Sequence, residues 1–361
     1  PLFALTLVTG WVADRLDRRV IARASIALEI FCAVTLAWLS WTGAVTLLPL
    51  FLVAGLLGVA RAFAAPALSA LSPNLVPREI LPRAIATSTI AWQAGAIAGP
   101  PIGGYLYAVH AYLPYAVAAG LFSLSLFCMF MIRPIERTRI DASRNPWQQM
   151  IDGLHYVRKN RLVLGAISLD LFAVLLGGAT AMLPVFARDI LHAGPTGLGH
   201  LRAAPAVGAT AAAIWFAWKP LKRDVGAKML AAVGVFGAAT IVFGLSRWMP
   251  LSLLCLVLLG AADMLSVFVR QSLIQLYTPN DMRGRVGAVS TLFISASNEL
   301  GEAESGFLAA LIGPVVAVVA GGAGAIAVTL LWAKWFPELR LARSFEPPNL
   351  GDTNKVMETT T

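Results

Sequence analysis

Charge is what this sequence has least of. Asp, Glu, Lys and Arg make up 13% of its 361 residues while apolar types make up 58%, and mean hydropathy is +0.74. A soluble domain of this length carries roughly twice that charged fraction to keep its surface wetted. Cysteine is also scarce. Cys32, Cys128 and Cys255 each lie alone in an apolar run, which excludes a disulfide framework or a thiolate metal site and leaves them as small packing residues. Four histidines, His110, His155, His192 and His200, are scattered along the chain, and no phosphate-cradling loop, dinucleotide fingerprint or Ser/His/Asp arrangement accompanies them. An ATP-driven pump therefore lacks its engine, and no cofactor is expected. An enzyme embedded in the membrane and a non-transporting receptor remain as alternatives to a transporter.

What is present is a series of long apolar stretches, each able to cross a bilayer as a helix of about 20 residues. Ten complete spans are predicted, near 24–42, 46–70, 84–107, 113–132, 162–186, 199–218, 228–246, 250–274, 286–312 and 314–335, which makes the chain an all-α polytopic membrane protein. The first apolar run, Pro1 to Val12, is too short to span, so residue 1 is expected to lie within a helix of a longer parent.

The net charge of +9 follows the topology. Basic loops (Arg15 to Arg23, Arg78 and Arg83, Arg133 to Arg161, Lys219 to Lys228, Arg283 and Arg285, and the C-terminal tail) alternate with loops that carry almost no Lys or Arg. Positive loops stay in the cytoplasm, so the C-terminus is expected there, and the charge is a topology signal instead of a nucleic-acid surface. The longest basic loop divides the spans into a front bundle, 1–132, and a back bundle, 162–335. Between them lies a connection, 133–161, in which Trp147, Met150, Ile151, Leu154 and Val157 recur at helical spacing, as in a helix lying on the cytoplasmic membrane surface or equally in an ordinary linker helix. A polar cytoplasmic tail, 336–361, follows. The two bundles share a weak repeat, Pro77-Arg78-Glu79…Arg83…Ala86…Ser88 against Pro279-Asn280-Asp281…Arg285…Ala288…Ser290, at an offset of 202 residues. Such repeats mark transporters built from paired bundles.

Two motifs carry more specific information. Gly10-Trp11-Val12-Ala13-Asp14-Arg15-Leu16-Asp17-Arg18-Arg19 resembles the gating-loop motif G-x-x-x-D-R-x-G-R-R of the major facilitator superfamily, with Gly10, Asp14, Arg15, Arg18 and Arg19 matching and Asp17 standing where the second glycine usually does. Gly95-Ala96-Ile97-Ala98-Gly99-Pro100-Pro101-Ile102-Gly103-Gly104 resembles that superfamily's antiporter motif G-x-x-x-G-P-x-x-G-G at every fixed position (Gly95, Gly99, Pro100, Gly103 and Gly104). Small residues four apart let helices approach, and proline permits a bend. Arg61 is similar to a buried arginine of the superfamily that is implicated in proton relay, although Ala64-Ala65 replaces the Gln-Gly that follows it there.

Further segments, among them Gly260-Ala261-Ala262-Asp263-Met264 and Asn298-Glu299-Leu300-Gly301-Glu302, resemble the branch that holds the enterobactin exporter and the transmembrane secretion effectors. The resemblance implies a major facilitator fold of two six-helix bundles, here without the first helix and part of the second. It implies alternating access and export of an amphipathic small molecule, a siderophore or a drug, in exchange for protons. A monomer in the bacterial inner membrane, with the bilayer and the substrate as its partners, completes that expectation.

Carboxylates inside spans are costly unless paired, protonated or facing water. Asp170, Asp263, Glu299 and Glu302 are therefore the candidates for proton coupling, together with Arg61. Arg202, Arg270 and Asn298 are their candidate charge and hydrogen-bond partners. Asp263 and Arg270 share a helical face but stand about 10.5 Å apart along the axis, too far for direct contact without long reach or water.

Overall fold

Ten long helices and one shorter one account for most of the described chain, which in a computed structural model comprises residues 17–71, 80–132, 146–219, 221, 223–279 and 282–342. They are α1 (Arg18–Thr42), α2 (Leu47–Leu71), α3 (Leu81–Val109), α4 (Leu113–Met131), α5 (Pro146–Lys159), α6 (Arg161–Leu176), α7 (Gly194–Trp218), α8 (Val225–Leu245), α9 (Met249–Tyr277), α10 (Arg283–Ile312) and α11 (Pro314–Trp335). Gly10, Asp14 and Arg15 of the gating-loop motif lie outside the described residues, as do Pro77, Arg78, Glu79, Asn280 and Asp281 of the repeat and the tail beyond Ala342.

Seven spans among the described residues are long and apolar enough to cross a membrane, with the stretch Arg161–Ile190 counted as one. Three further helices, α3, α7 and α10, are 29, 25 and 30 residues long and more polar. Polar residues on a span argue for a face turned away from lipid. The chain groups into two compact units. Unit one holds the described residues up to Pro146 together with Leu183–Ala206, and unit two holds Trp147–Met182 with the described residues from Val207 onward.

In unit one, α1 packs on α2 and α4, and α4 packs on α3. Asp17 gives α1 its start: its carboxylate accepts from the Arg19 backbone N–H at 2.9 Å and pairs with the Arg19 guanidinium at 2.7 Å. The residue that departs from the superfamily's glycine is thus an N-cap, where an acid satisfies a free N–H and meets the positive end of the helix dipole. Gly43, at φ +70°, closes the helix in the left-handed conformation that suits glycine. An Asp17→Ala variant is expected to lose about 1 kcal/mol of stability, read as a lowered thermal midpoint. An unchanged midpoint would mean that Asp17 serves the loop and not the helix. Farther along, Arg23 donates to the Met129 carbonyl at 2.9 Å and lies over the Phe130 ring, which ties α1 to the end of α4.

In unit two, α8 packs between α9 and α11, and α6 packs on α9, α10 and α11. The core joins Leu169 and Ala173 of α6 with Met229 and Val233 of α8, Val269 and Leu273 of α9 and Val328 of α11. Trp332 of α11 donates its indole N–H to the partly buried Ser168 Oγ at 3.0 Å, so the polar edge of this core residue is satisfied. Cys255 is buried in α9 and Cys32 in α1, as packing residues should be, whereas Cys128 of α4 is exposed.

The apolar residues of α5 do not form one outward stripe. Met150 packs against the cluster of Val157, Val163, Ile274, Val286 and Val289, while Ile151 and Leu154 are exposed. Gly153 explains the inward side: a Cβ there would meet the Arg285 carbonyl oxygen at 2.7 Å, so α5 lies backbone-close against the start of α10. Asp152 and Arg285 then pair at 3.1 Å across the same contact.

Candidate functional site

Helix α6 stops where its sequence stops supporting a helix. Gly177 and Gly178 follow Leu176, a turn of 3-10 helix covers Ala179–Met182, and after Pro184 a π-turn covers Phe186–Ile190. Glycine costs about 1 kcal/mol in a helix interior, and here its lack of a side chain is needed for packing. A Cβ on Gly178 would collide with Ser305 Oγ, and one on Gly301 would meet the Val174 carbonyl oxygen at 2.9 Å. Irregular backbone at membrane depth survives only where it is buried in protein or lines a cavity, and discontinuous helices of this kind are where transporters bind ions and substrates.

One turn and a half before that break, Asp170 of α6 forms an ion pair with Arg270 of α9. Both are buried, at 7% and 2% exposure, and Arg270 Nε has no hydrogen-bond partner among the described residues. Asp170 and Asp263 line the same small cavity in unit two, together with Ser266, Phe236, Val233 and Ala262. Its volume is about 10 Å³, the room of one water molecule. The charges of both Asp170 and Arg270 act on Asp263. Two acids, one guanidinium and space for a water thus converge from α6 and α9. The Asp170–Arg270 pair is not visible in sequence, because its members sit on different helices and are 100 positions apart.

The other candidates are not part of this cluster. Glu299, Glu302 and Asn298 are exposed on α10, and neither glutamate has an ion pair among the described residues. Glu304, half-buried on the same helix, keeps its Oε2 without a hydrogen-bond partner among the described residues. Arg61 is exposed on α2; its charge acts on the buried Glu29 of α1, but no ion-pair contact joins them. Arg202 is exposed on α7 and has no ion pair among the described residues. Arg19 holds Asp17 as described, and Arg18 lies in the first turn of α1.

Of the antiporter motif, Gly104 and Pro100 make backbone-close contacts. A Cβ on Gly104 would meet the Pro195 carbonyl oxygen at 2.5 Å, and one on Gly199 would meet that of Pro100 at 2.5 Å. Tyr105 and His200 meet edge to face beside them, with ring centres 5.6 Å apart. Gly95, Gly99 and Gly103 have open space where a Cβ would stand.

Sequence reasoning missed a second feature of unit one. The last turns of α3, the start of α4, the segment around Pro184–Arg188 and the first turns of α7 line a half-open cavity of about 740 Å³. Its wall carries Tyr107, Tyr115, Arg188 and Arg202 among prolines, glycines and aliphatic residues. The volume is that of a site for a small organic molecule. Four segments separated by up to about a hundred residues build it, and no local pattern announces such a convergence.

Known proteins agree with this architecture. The family model described as Major Facilitator Superfamily matches residues 1–302. The Enterobactin exporter EntS of Citrobacter koseri is 27% identical over 97% of this chain and 84% of its own length, and that of Escherichia coli O1:K1 / APEC is 27% identical over 96% and 83%. Among solved structures, a POT family transporter in complex with a thioalcohol-conjugated peptide superposes with a TM-score of 0.71 at 14% identity, over 94% of this chain and 85% of that one. The nucleoside transporter NupG does so with a TM-score of 0.70 at 12% identity, over 92% and 87%. At those identities the structures speak for the fold alone. With its helices, its motifs and the family match over most of its length, the chain belongs to the major facilitator superfamily of membrane transporters.

Proposed function

We propose that this transporter is a proton-coupled exporter of amphipathic small molecules, such as siderophores or drugs, working by alternating access between a front bundle (1–132) and a back bundle (162–335) in the bacterial inner membrane, with its C-terminus in the cytoplasm. The observation that carries the reading is the convergence of Asp263 with the buried Asp170–Arg270 pair on a water-sized cavity. A charged group at membrane depth is expensive, and its retention there is the ordinary mark of an ion or proton pathway. Arg270 and Asp170 neutralise one another. The second acid, Asp263, then changes the net charge of the cluster each time it takes up or releases a proton, and the cavity gives that proton a water to travel through. The relatives named as enterobactin exporters favour a siderophore among the possible cargoes, and the alternation of basic and neutral loops favours a cytoplasmic C-terminus.

The test uses proteoliposomes with a pH-reporting dye inside, an imposed proton gradient, and candidate siderophores and hydrophobic drugs as cargo. Substrate-dependent proton movement is expected, and Asp263→Asn is expected to reduce it at least tenfold while the protein stays folded. Glu299→Gln and Glu302→Gln, on the exposed face of α10, probe the other acids in the same assay. Proton movement unchanged in the Asp263→Asn variant would remove Asp263 from the coupling step, and cargo flux with no proton movement at all would remove proton coupling.

A further inference from the structure

The 740 Å³ cavity of unit one has no part in the proton cluster, and its lining describes a ligand. Most of the wall is apolar, supplied by residues such as Pro184, Val185 and Leu198, so the body of an occupant must be apolar too. Two tyrosines, Tyr107 and Tyr115, stand in the wall, where aromatic rings favour contact with an aromatic group. The charges on the wall are both positive, but they differ. Arg188 pairs with its neighbour Asp189 at 2.6 Å, whereas Arg202 has no ion pair among the described residues. A guanidinium without a counter-ion at the edge of an apolar cavity is a site for one negative head group, because its planar fork of donors matches a carboxylate, sulfonate or phosphate.

The position of the cavity narrows its role. Its residues lie at the ends of α3, α4 and α7 that meet the nearly uncharged connections at 110–112 and 191–193, opposite the basic loops. The contacts of Gly104 with Pro195 and of Gly199 with Pro100 hold two of its walls together at backbone distance, and Gly103 lines it with open space in front of its Cα. The cavity is thus framed by rigid backbone, and a side chain added at Gly103 would project into open space at its lining.

We infer that this cavity binds an amphipathic anion, an aromatic or otherwise apolar body with a single negative head held by Arg202, at the end of the helices away from the basic loops. The inference deepens the export reading, on which the identification of the ligand with the transported class rests. The same chemistry has two sources, a free organic anion or an anionic lipid whose head group reaches Arg202.

The experiment measures binding separately from transport. The purified chain in nanodiscs of zwitterionic lipid is titrated with dansylglycine, an aromatic carboxylate, and with dansylamide, its uncharged counterpart, and fluorescence is followed in each case. Dansylglycine is expected to bind more tightly than dansylamide. Arg202→Gln is expected to weaken dansylglycine at least tenfold and to leave dansylamide within twofold, with Arg202→Lys intermediate. Arg188→Gln is expected to change dansylglycine less than threefold, because Asp189 already occupies that cation. Gly103→Trp, which projects an indole into the cavity, is expected to weaken both. A second titration in nanodiscs containing phosphatidylglycerol separates the sources: Arg202-dependent displacement of the probe identifies a lipid as the resident anion, and its absence identifies a free solute. Equal dansylglycine binding in the wild type, Arg202→Gln and Gly103→Trp, or no binding in any of them, overturns the inference. Cargo flux in proteoliposomes with no probe binding sinks this site and leaves the export reading; probe binding without cargo flux does the reverse.

Discussion

Asp170→Ala is expected to destabilise unit two by about 3–5 kcal/mol, because it strands the Arg270 guanidinium in the core without its counter-ion. Arg270 is 2% exposed, so bulk water does not reach it to replace the lost carboxylate, and its Nε already lacks a hydrogen-bond partner among the described residues. Removing both charges at once behaves differently. An Asp170→Asn, Arg270→Gln double variant leaves no charge to bury and is expected to recover more than half of the loss, since replacing a buried pair by neutral groups is often close to neutral in stability. Cys255 gives the readout: it is a free, buried thiol on α9, the helix that carries Arg270. In a Cys32→Ser, Cys128→Ser background its labelling by a thiol-reactive dye reports opening of that helix on heating. A double variant no better than Asp170→Ala would mean that the pair contributes hydrogen-bond geometry and not charge balance. An Asp170→Ala variant as stable as the wild type would mean that the ion pair is not buried in the membrane-embedded protein.

This pair also shows where sequence reading ends. Asp170, Asp263 and Arg270 were each conspicuous as charges inside apolar runs, because burying a charge is so expensive that its presence alone carries information. Which of them touch was hidden. Asp263 and Arg270 share a helix and a face, yet the direct partner of Arg270 is on α6, since the pairing of charges is decided by how helices cross and not by spacing along one of them. The helices themselves were legible, because a bilayer forces each apolar run of some 20 residues into the same hydrogen-bonded form. The break after Leu176 was not, since a span predicted over 162–186 contains enough apolar residues to hide a change of backbone type. Gly177 and Gly178 were its signal, weakened by how common glycine is inside membrane helices. The antiporter motif was legible as a pattern of small residues, but only its last glycine, Gly104, stands at a backbone contact, while Gly103 lines a cavity that no spacing could have revealed. In α5 the periodicity was correct and its direction mixed: Met150 and Val157 meet the protein, and Ile151 and Leu154 turn away from it.

The second large effect is expected where two helices meet with no side chain between them. Gly237 of α8 and Gly322 of α11 face one another: a Cβ on Gly237 would stand 2.7 Å from the Gly322 carbonyl oxygen and 2.7 Å from Ile326 Cγ1, and a Cβ on Gly322 would stand 2.7 Å from the Gly237 carbonyl oxygen. The obstacle on each side is backbone, which cannot rotate away as a side chain end can. Small residues at facing positions are how membrane helices gain packing when the hydrophobic effect gives them little reason to associate. Gly237→Leu must therefore push α8 off α11, and it is expected to cost more than the 1–3 kcal/mol typical of overpacking, enough to prevent recovery of folded protein from the membrane. Gly234, one turn earlier on α8, is the internal control, since a Cβ there meets nothing within 4 Å. Gly234→Leu is expected to fold at wild-type yield, and Gly234→Ala to gain up to about 1 kcal/mol from helix propensity. Monodisperse yield and thermal midpoint of the four proteins in one detergent decide the matter. Equal losses at both positions would show that any added bulk on α8 is harmful. Equal tolerance would show that α8 and α11 do not pack through Gly237 and Gly322, and with that contact would go the support it lends to Val233 and Phe236, the two α8 residues that line the cavity of Asp170 and Asp263.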